Sequence, residues 1–404
     1  MLDAILSKFE KPLSLAIAID DNKKEIHFYS INEKDKNIIK HDIELYDAGL
    51  FTNEFYEKFD EILKGYCDKN KNISSQKVAL VIPNRVIMFD TISVPVINRQ
   101  IMESSLSTLV NSLYKNHEQL KFNNTILFQN KQSATYNIVA IRKEILVMLK
   151  KICDSNHINV VGVTFASNAI VNGASNFNES LKTESSIVVD IKEDYTYMTY
   201  VSNGKVCGYY SLRFGSSMLY KKYLAAEDLL LENKNGKLLV LNAKEKAKAR
   251  VLTSMEQIEP IIDEVDVEDE NQLIEENRAT YIIDKVTGRK KQGRKLPKFM
   301  LRELPNDEQG YVYENFRIYM KWAQDLITFN PELASFGNPK KVFVNIPKEF
   351  EYVFEMANNE NKNNGIELEY LPLISSEDVN EEILNNLELY GGLYSKIFNK
   401  SNCF

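Results

Sequence analysis

The sequence predicts an α/β protein of two lobes, the first of which carries a small β-α-β-β-α-β subdomain. Three observations lead there. At 404 residues the chain is longer than one hydrophobic core usually organises. From residue 13 to residue 84, buried strand patterns and a helical pattern follow one another as strand, hairpin, strand, helix, strand, the mark of a mixed sheet with a covering helix. From Ser185 to Gly215 the chain starts again with a buried strand, an aspartate, a tight turn and a hairpin.

The first lobe opens with Leu2, Ile5, Leu6 and Phe9 at helical spacing, stopped by Pro12. Two readings of this helix stay open, a docking helix for a membrane surface or partner, and a lid on the first domain. Leu13 to Asp20 (Leu-Ser-Leu-Ala-Ile-Ala-Ile-Asp) is a buried strand ending in a carboxylate, and Glu25 to Ile31 returns beside it. The turn Asp20-Asp21-Asn22-Lys23 between them suits Asn22 in the left-handed region. Lys40 to Leu45 makes a third strand. Phe55, Phe59, Ile62 and Leu63 recur every three or four residues and predict a helix over Asn53 to Asn70, and Lys77 to Ile82 is the next buried strand. The subdomain, 85–165, follows with strand Arg85 to Val94, helix Asn98 to Tyr114, strands Thr125 to Gln129 and Thr135 to Ile141, helix Lys143 to Asn156 and strand Val160 to Thr164. A short helix within Gly162 to Gly173 leads onward.

Ile187 to Val189 is apolar on both faces and ends at Asp190, and Asn203-Gly204 is a hairpin turn, since both residues accept positive φ. A helix over Ser216 to Glu232 comes next. An acidic block (Met255 to Asn277) and a basic block (Lys285 to Arg302) then mark 235–305 as an inserted charged subdomain. The basic run Arg289 to Lys295 reads either as an anion-binding face or as a solvated face that pairs with the acidic block. A helix from Tyr311 to Thr328 holds the sole Trp322. Strand Lys341 to Ile346, helix Phe350 to Asn359, strand Ile366 to Leu371 and a helix Asn380 to Phe398 interrupted by Gly391-Gly392 complete the chain, so that 166–234 and 306–404 form the second lobe.

Composition narrows the function classes. A net charge of −7 does not favour nucleic acid as the main partner. Four cysteines lie far apart with no CxxC, which reads as reduced thiols rather than a zinc site or a disulfide frame. No run of about 18 apolar residues predicts a membrane helix, and Met1 to Phe9 lacks the pattern of a signal peptide. A cytoplasmic protein is the expectation. His27, His41, His117 and His157 show no mutual spacing and read as strand or surface residues.

The order of elements, Leu13 to Asp20, the run Ala79 to Pro95, Tyr136 to Ala140 with Arg142-Lys-Glu, the hairpin Ile187 to Gly215 and Gly391-Gly392 together resemble the actin-like ATPase superfamily. Within it the chain looks like the PilM family of type IV pilus assembly proteins and, more distantly, the FtsA family of division proteins. The resemblance implies two ribonuclease H-like lobes around an ATP·Mg cleft, where Asp20, Asn22, Asp190, Lys192, Thr196 and Asn345 stand at the nucleotide-binding positions. The family's motifs are altered there. Phosphate loops use glycine because only a residue without Cβ lets backbone N–H groups close on the anion, yet the glycines fall on Asn22 and Lys192, and the first loop's lysine falls on His27. The adenosine strand ends in Asn345-Ile346-Pro347, and the acid that positions water falls near Ala166. Thr196 keeps its hydroxyl position.

Four simultaneous alterations predict a scaffold that has lost hydrolysis, with no cofactor expected and no metal. For Asp20 and Asp190 an alternative is a turn residue capping its own hairpin, and Lys192 could replace the metal by pairing with both. The resemblance implies a partner, the cytoplasmic tail of a membrane assembly protein, bound beside the subdomain by residues within 77–145, with membrane association only through it. A homo-oligomer or filament, as in FtsA, and an atypical ATPase gripping nucleotide through Asp20, Asp190 and Thr196 are the rival expectations.

Overall fold

The computed structural model describes residues 15–31, 38–71, 73–96, 98–114, 116–212, 215–220, 231–232, 239–241, 280–283, 290–292, 310, 312, 313, 315–317, 339, 341–361, 367–371, 383, 386–394 and 397–399. In chain order the elements are β1 (Leu15–Asp20), β2 (Glu25–Ile31), β3 (Ile38–Leu45), α1 (Asn53–Lys69), β4 (Lys77–Ile82), β5 (Met88–Pro95), α2 (Arg99–Leu113), β6 (Leu120–Gln129), β7 (Ser133–Arg142), α3 (Lys143–Ser155), β8 (Asn159–Phe165), α4 (Ala166–Ser175) and α5 (Glu179–Thr183). They continue as β9 (Ser185–Ile191), β10 (Thr196–Ser202), β11 (Lys205–Leu212), β12 (Leu231–Glu232), β13 (Leu239–Leu241), β14 (Thr280–Ile283), β15 (Lys290–Gln292), β16 (Lys341–Asn345), α6 (Glu351–Asn361), β17 (Glu367–Tyr370), α7 (Leu387–Gly392) and β18 (Phe398–Asn399). The expected helix Leu2 to Phe9, the acidic block, Arg289 and the Trp322 segment lie outside the described residues.

Two compact units result: 1–183 with 203–206 and 371–404, and 184–202 with 207–370. The first is built on the sheet β18-β8-β4-β1-β2-β3. β1 and β4 are apolar on both faces and nearly wholly buried, so they take its centre, running parallel to each other. The second unit is built on β12-β11-β10-β9-β16-β17, with β9, β16 and β17 parallel and β10 antiparallel to β9. A strand with an aspartate at or next to its end, an antiparallel hairpin partner on one side and a parallel strand on the other thus occurs in each unit, as the expected duplication requires.

The subdomain is smaller than expected. Its sheet is β5-β7-β6, covered by α2, whose Met102, Leu106 and Val110 pack on Ile92, Ile138 and Ala140. β8 instead pairs in parallel with β4, and α3 packs against α1, so the last helix and strand of 85–165 belong to the main sheet. The second departure concerns the C-terminal residues. Expected in the second lobe, 371–404 joins the first unit, because α7 packs on α4 and β18 pairs with β8. Gly391 and Gly392 do not interrupt a long helix. They close a short one, and a Cβ on Gly391 would land on Ala169 O and the Gly173 amide. Of the helix expected over 216–232, residues 221–230 lie outside the described residues and the two ends are not α-helical. Ser216–Tyr220 is a single 3-10 turn and Leu231–Glu232 is a strand on Ser211 and Leu212. Within the inserted segment, β13-β14-β15 form a small antiparallel sheet.

Candidate functional site

The two aspartates singled out above stand on different units, and each has its own neighbours. Asp20 ends β1. Its Oδ1 accepts from the amides of Asn22 at 2.9 Å and Lys23 at 3.2 Å, so the carboxylate caps its own hairpin as an Asx turn. These are the loop amides that a phosphate would otherwise receive. The left-handed residue of this turn is Lys24 (φ 55), not Asn22. Lys24 accepts that conformation because its ammonium reaches the carbonyls of Ala48, at 3.1 Å, and Asp47. Beside it, Asp21 pairs with Arg85 at 2.5 Å, and the Tyr46 hydroxyl donates to Asp20 O at 3.4 Å.

On the other strand of this hairpin, His27 Nε2 is 3.2 Å from Glu25 Oε2 and its Nδ1 is 3.1 Å from His41 Nε2 on β3. Burial holds the His27 ring below its ordinary pKa, against the pull of Asp20 and Glu25. Sequence reasoning kept these histidines apart because the β2–β3 register that pairs Tyr29 with His41 cannot be counted through the intervening loop. The period-two alternation placing Glu25 and His27 on one face was the available signal.

At the position where the resemblance puts a water-positioning acid, Ala166 begins α4 and offers no carboxylate. The polar group there is Asn84, 2 % exposed, which accepts from Ser167 N and donates to Ser167 Oγ, both at 2.9 Å. Asn84 therefore caps α4 from the end of β4.

In the second unit Asp190 is the penultimate residue of β9 and is 1 % exposed. Asn345, its register partner on β16, donates from Nδ2 to Asp190 Oδ1 at 2.8 Å, and Lys192 Nζ lies 3.6 Å from Oδ2. A buried carboxylate needs such company, since an unpaired one is costly. The turn after β9 is closed by Lys192 N donating to Tyr195 O at 2.9 Å. Ser216 N and Ser217 N then cap the carbonyls of Lys192 and Glu193 at 2.8 and 3.0 Å. Gly215 lets this strap pass, because a Cβ there would strike Glu193 O and the Asp194 amide at 2.5 Å. Thr196 is fully buried on β10, and Asn345, assigned to the adenosine strand, has its amide on Asp190.

A magnesium nucleotide needs loop amides and a free carboxylate in each half. Asn22, Lys23 and Lys192 have their amides engaged within the chain, and Asp190 has an amide and an ammonium beside it. The residues present do not fit that group.

No protein-family model and no curated protein matches the sequence. Among solved structures, the chain is similar to the PilM–PilN type IV pilus biogenesis complex, with a TM-score of 0.55, 11 % identity, and 95 % of this chain and 98 % of that chain covered. This likeness shows the fold: the chain has the actin-like α/β fold of PilM. Weaker overlaps, which carry no argument, include MreB5 of Spiroplasma citri bound to AMPPNP (TM-score 0.36, 12 % identity, 93 % and 94 % covered). The cytoplasmic domain of EpsL, an inner membrane component of the type II secretion system of Vibrio cholerae, is another (TM-score 0.35, 12 % identity, 51 % and 72 % covered).

Proposed function

We propose that the chain is a non-catalytic, PilM-like scaffold that binds an extended tail of a membrane-assembly partner, at the inner face of the membrane, without ATP. The observation that carries the reading is the engagement of both loops with their own residues, Asp20 on Asn22 and Lys23, and Asp190 with Asn345 and Lys192. An incoming phosphate would have to displace each of these contacts. The partner is inferred from the fold it shares with PilM, which was solved with PilN. Two outer strands, β5 and β6, border the subdomain sheet, and β6 exposes Ile126 and Phe128. An extended segment gains affinity from backbone pairing at such an edge and specificity from alternate side chains. Among the described residues no helix is long and apolar enough to cross a membrane, which suits recruitment through a partner.

Calorimetry with Mg·ATP and Mg·ADP at millimolar concentration tests the first half, and no heat is expected. Micromolar binding that disappears in Asp190→Ala would overturn it. For the second half, membrane proteins co-purifying from the native cell supply candidate tails. A synthetic tail should bind the wild type and lose at least tenfold affinity for Phe128→Ser. Equal affinity for both would remove β6 from the site.

A further inference from the structure

A carboxylate pair and an imidazole converge on the first unit in a way the scaffold reading does not use. Asp20 stands at the end of β1, directly opposite Glu25 in the β1–β2 register, and His27 follows two residues later on the same face. One ligand atom from each of the three lies within 4.8 Å of the others. Nitrogen and oxygen ligands around one zinc ion stand about 3.4 Å apart, given bonds of about 2.1 Å. Glu25 Oε2 and His27 Nε2 already stand at 3.2 Å. Small side-chain rotations would close the set.

We propose that Asp20, Glu25 and His27 bind a first-row divalent transition metal of the zinc class, within the first unit and through direct bonds. The imidazole selects this class over magnesium and calcium, which take oxygen ligands. Asp20 can serve because the Asx turn uses Oδ1 and leaves Oδ2 outside those two bonds. His27 has the outer partner a metal ligand needs. With Nδ1 donating to His41 Nε2, 3.1 Å away, the Nε2 lone pair of His27 is left for the metal. Without metal, an Nε2–H donating to Glu25 Oε2 makes Nδ1 the acceptor from His41, so binding exchanges the tautomers of both rings. Two carboxylates give the site net negative charge even beside Lys23, and Asp21 is separately engaged by Arg85. Water would complete the coordination. The site lies wholly on β1 and β2 and is independent of any nucleotide.

The test uses the full chain and Zn²⁺ itself. Calorimetry should find one ion per chain with micromolar affinity, not displaced by millimolar Mg²⁺. Co²⁺ in its place should give a visible absorption spectrum that Zn²⁺ bleaches. His27→Gln and Glu25→Gln should each weaken binding at least tenfold while circular dichroism stays that of the wild type, and His41→Gln should weaken it about tenfold. His117→Gln, elsewhere on the subdomain, should bind as the wild type does. Absence of Zn²⁺ binding at 100-fold excess over micromolar affinity, or binding unchanged in both His27→Gln and Glu25→Gln, would overturn the proposal.

Discussion

Asn345 donates directly to Asp190, and replacing it by Ala leaves a buried carboxylate oxygen with one donor fewer. Asn345→Ala is expected to lower stability by about 1–3 kcal/mol in urea unfolding. Tyr114 makes a similar case in the subdomain, donating to Asp90 Oδ2 at 2.9 Å where both groups are buried. Tyr114→Phe should cost about 1–3 kcal/mol by the same measurement. Legibility at this scale followed the range of the interaction. Asn203 and Gly204 do take positive φ (50° and 71°), because the turn is decided by two adjacent residues. Asp20 as its own hairpin's cap was legible as one of two readings for the same reason. Lys24 as the left-handed residue was not, since its stabilisation comes from carbonyls of Asp47 and Ala48 more than twenty residues on. The pairing of Lys192 with Asp190 was legible through its position two residues beyond the aspartate, whereas His27 with His41 depended on a register hidden by a loop.

Elements were legible where an apolar period ran through a whole helix or strand, as in α1, α3, β1 and β4. At the described ends of one expected helix, tertiary bonds overrode the local period. Ser216 to Glu232 has helical spacing, yet its first residues are drawn onto the β9–β10 turn and its last pair with β11. The crossing of α4 and α7 shows the reverse, a packing demand written plainly in glycine. Gly173 and Gly391 each leave no room for a Cβ, the former against Leu387 O and the latter against Ala169 O. Gly391→Ala should therefore force the two helices apart and destabilise the chain by at least about 1–3 kcal/mol, whereas Gly65→Ala, with open space around it on α1, should be neutral or mildly stabilising. Thermal unfolding of the two variants side by side makes the comparison.

For the whole molecule, the sequence conveyed two lobes and the duplicated strand order, because each lobe repeats a local pattern. It did not convey which unit owns residues 371–404, since nothing local distinguishes one apolar partner face from the other. The answer has a measurable side. Leu387, Leu389, Tyr390, Leu393 and Phe398 are buried in the first unit. At about 1.5–3 kcal/mol each, their loss is on the order of 10 kcal/mol, comparable with the whole stability margin of a domain. A chain ending at 379 should consequently lose the cooperative unfolding transition of the first unit, read by hydrogen exchange over β4 and β8.

That ownership also orders events in time. A ribosome delivers β1 to β8 before the second unit and α7 with β18 after it, so the nascent first unit keeps a bare β8 edge and an empty seat on α4 throughout synthesis of the second. Completion of the first unit awaits residues made long after β8, and in that interval the chain is exposed to mispairing and in need of chaperones.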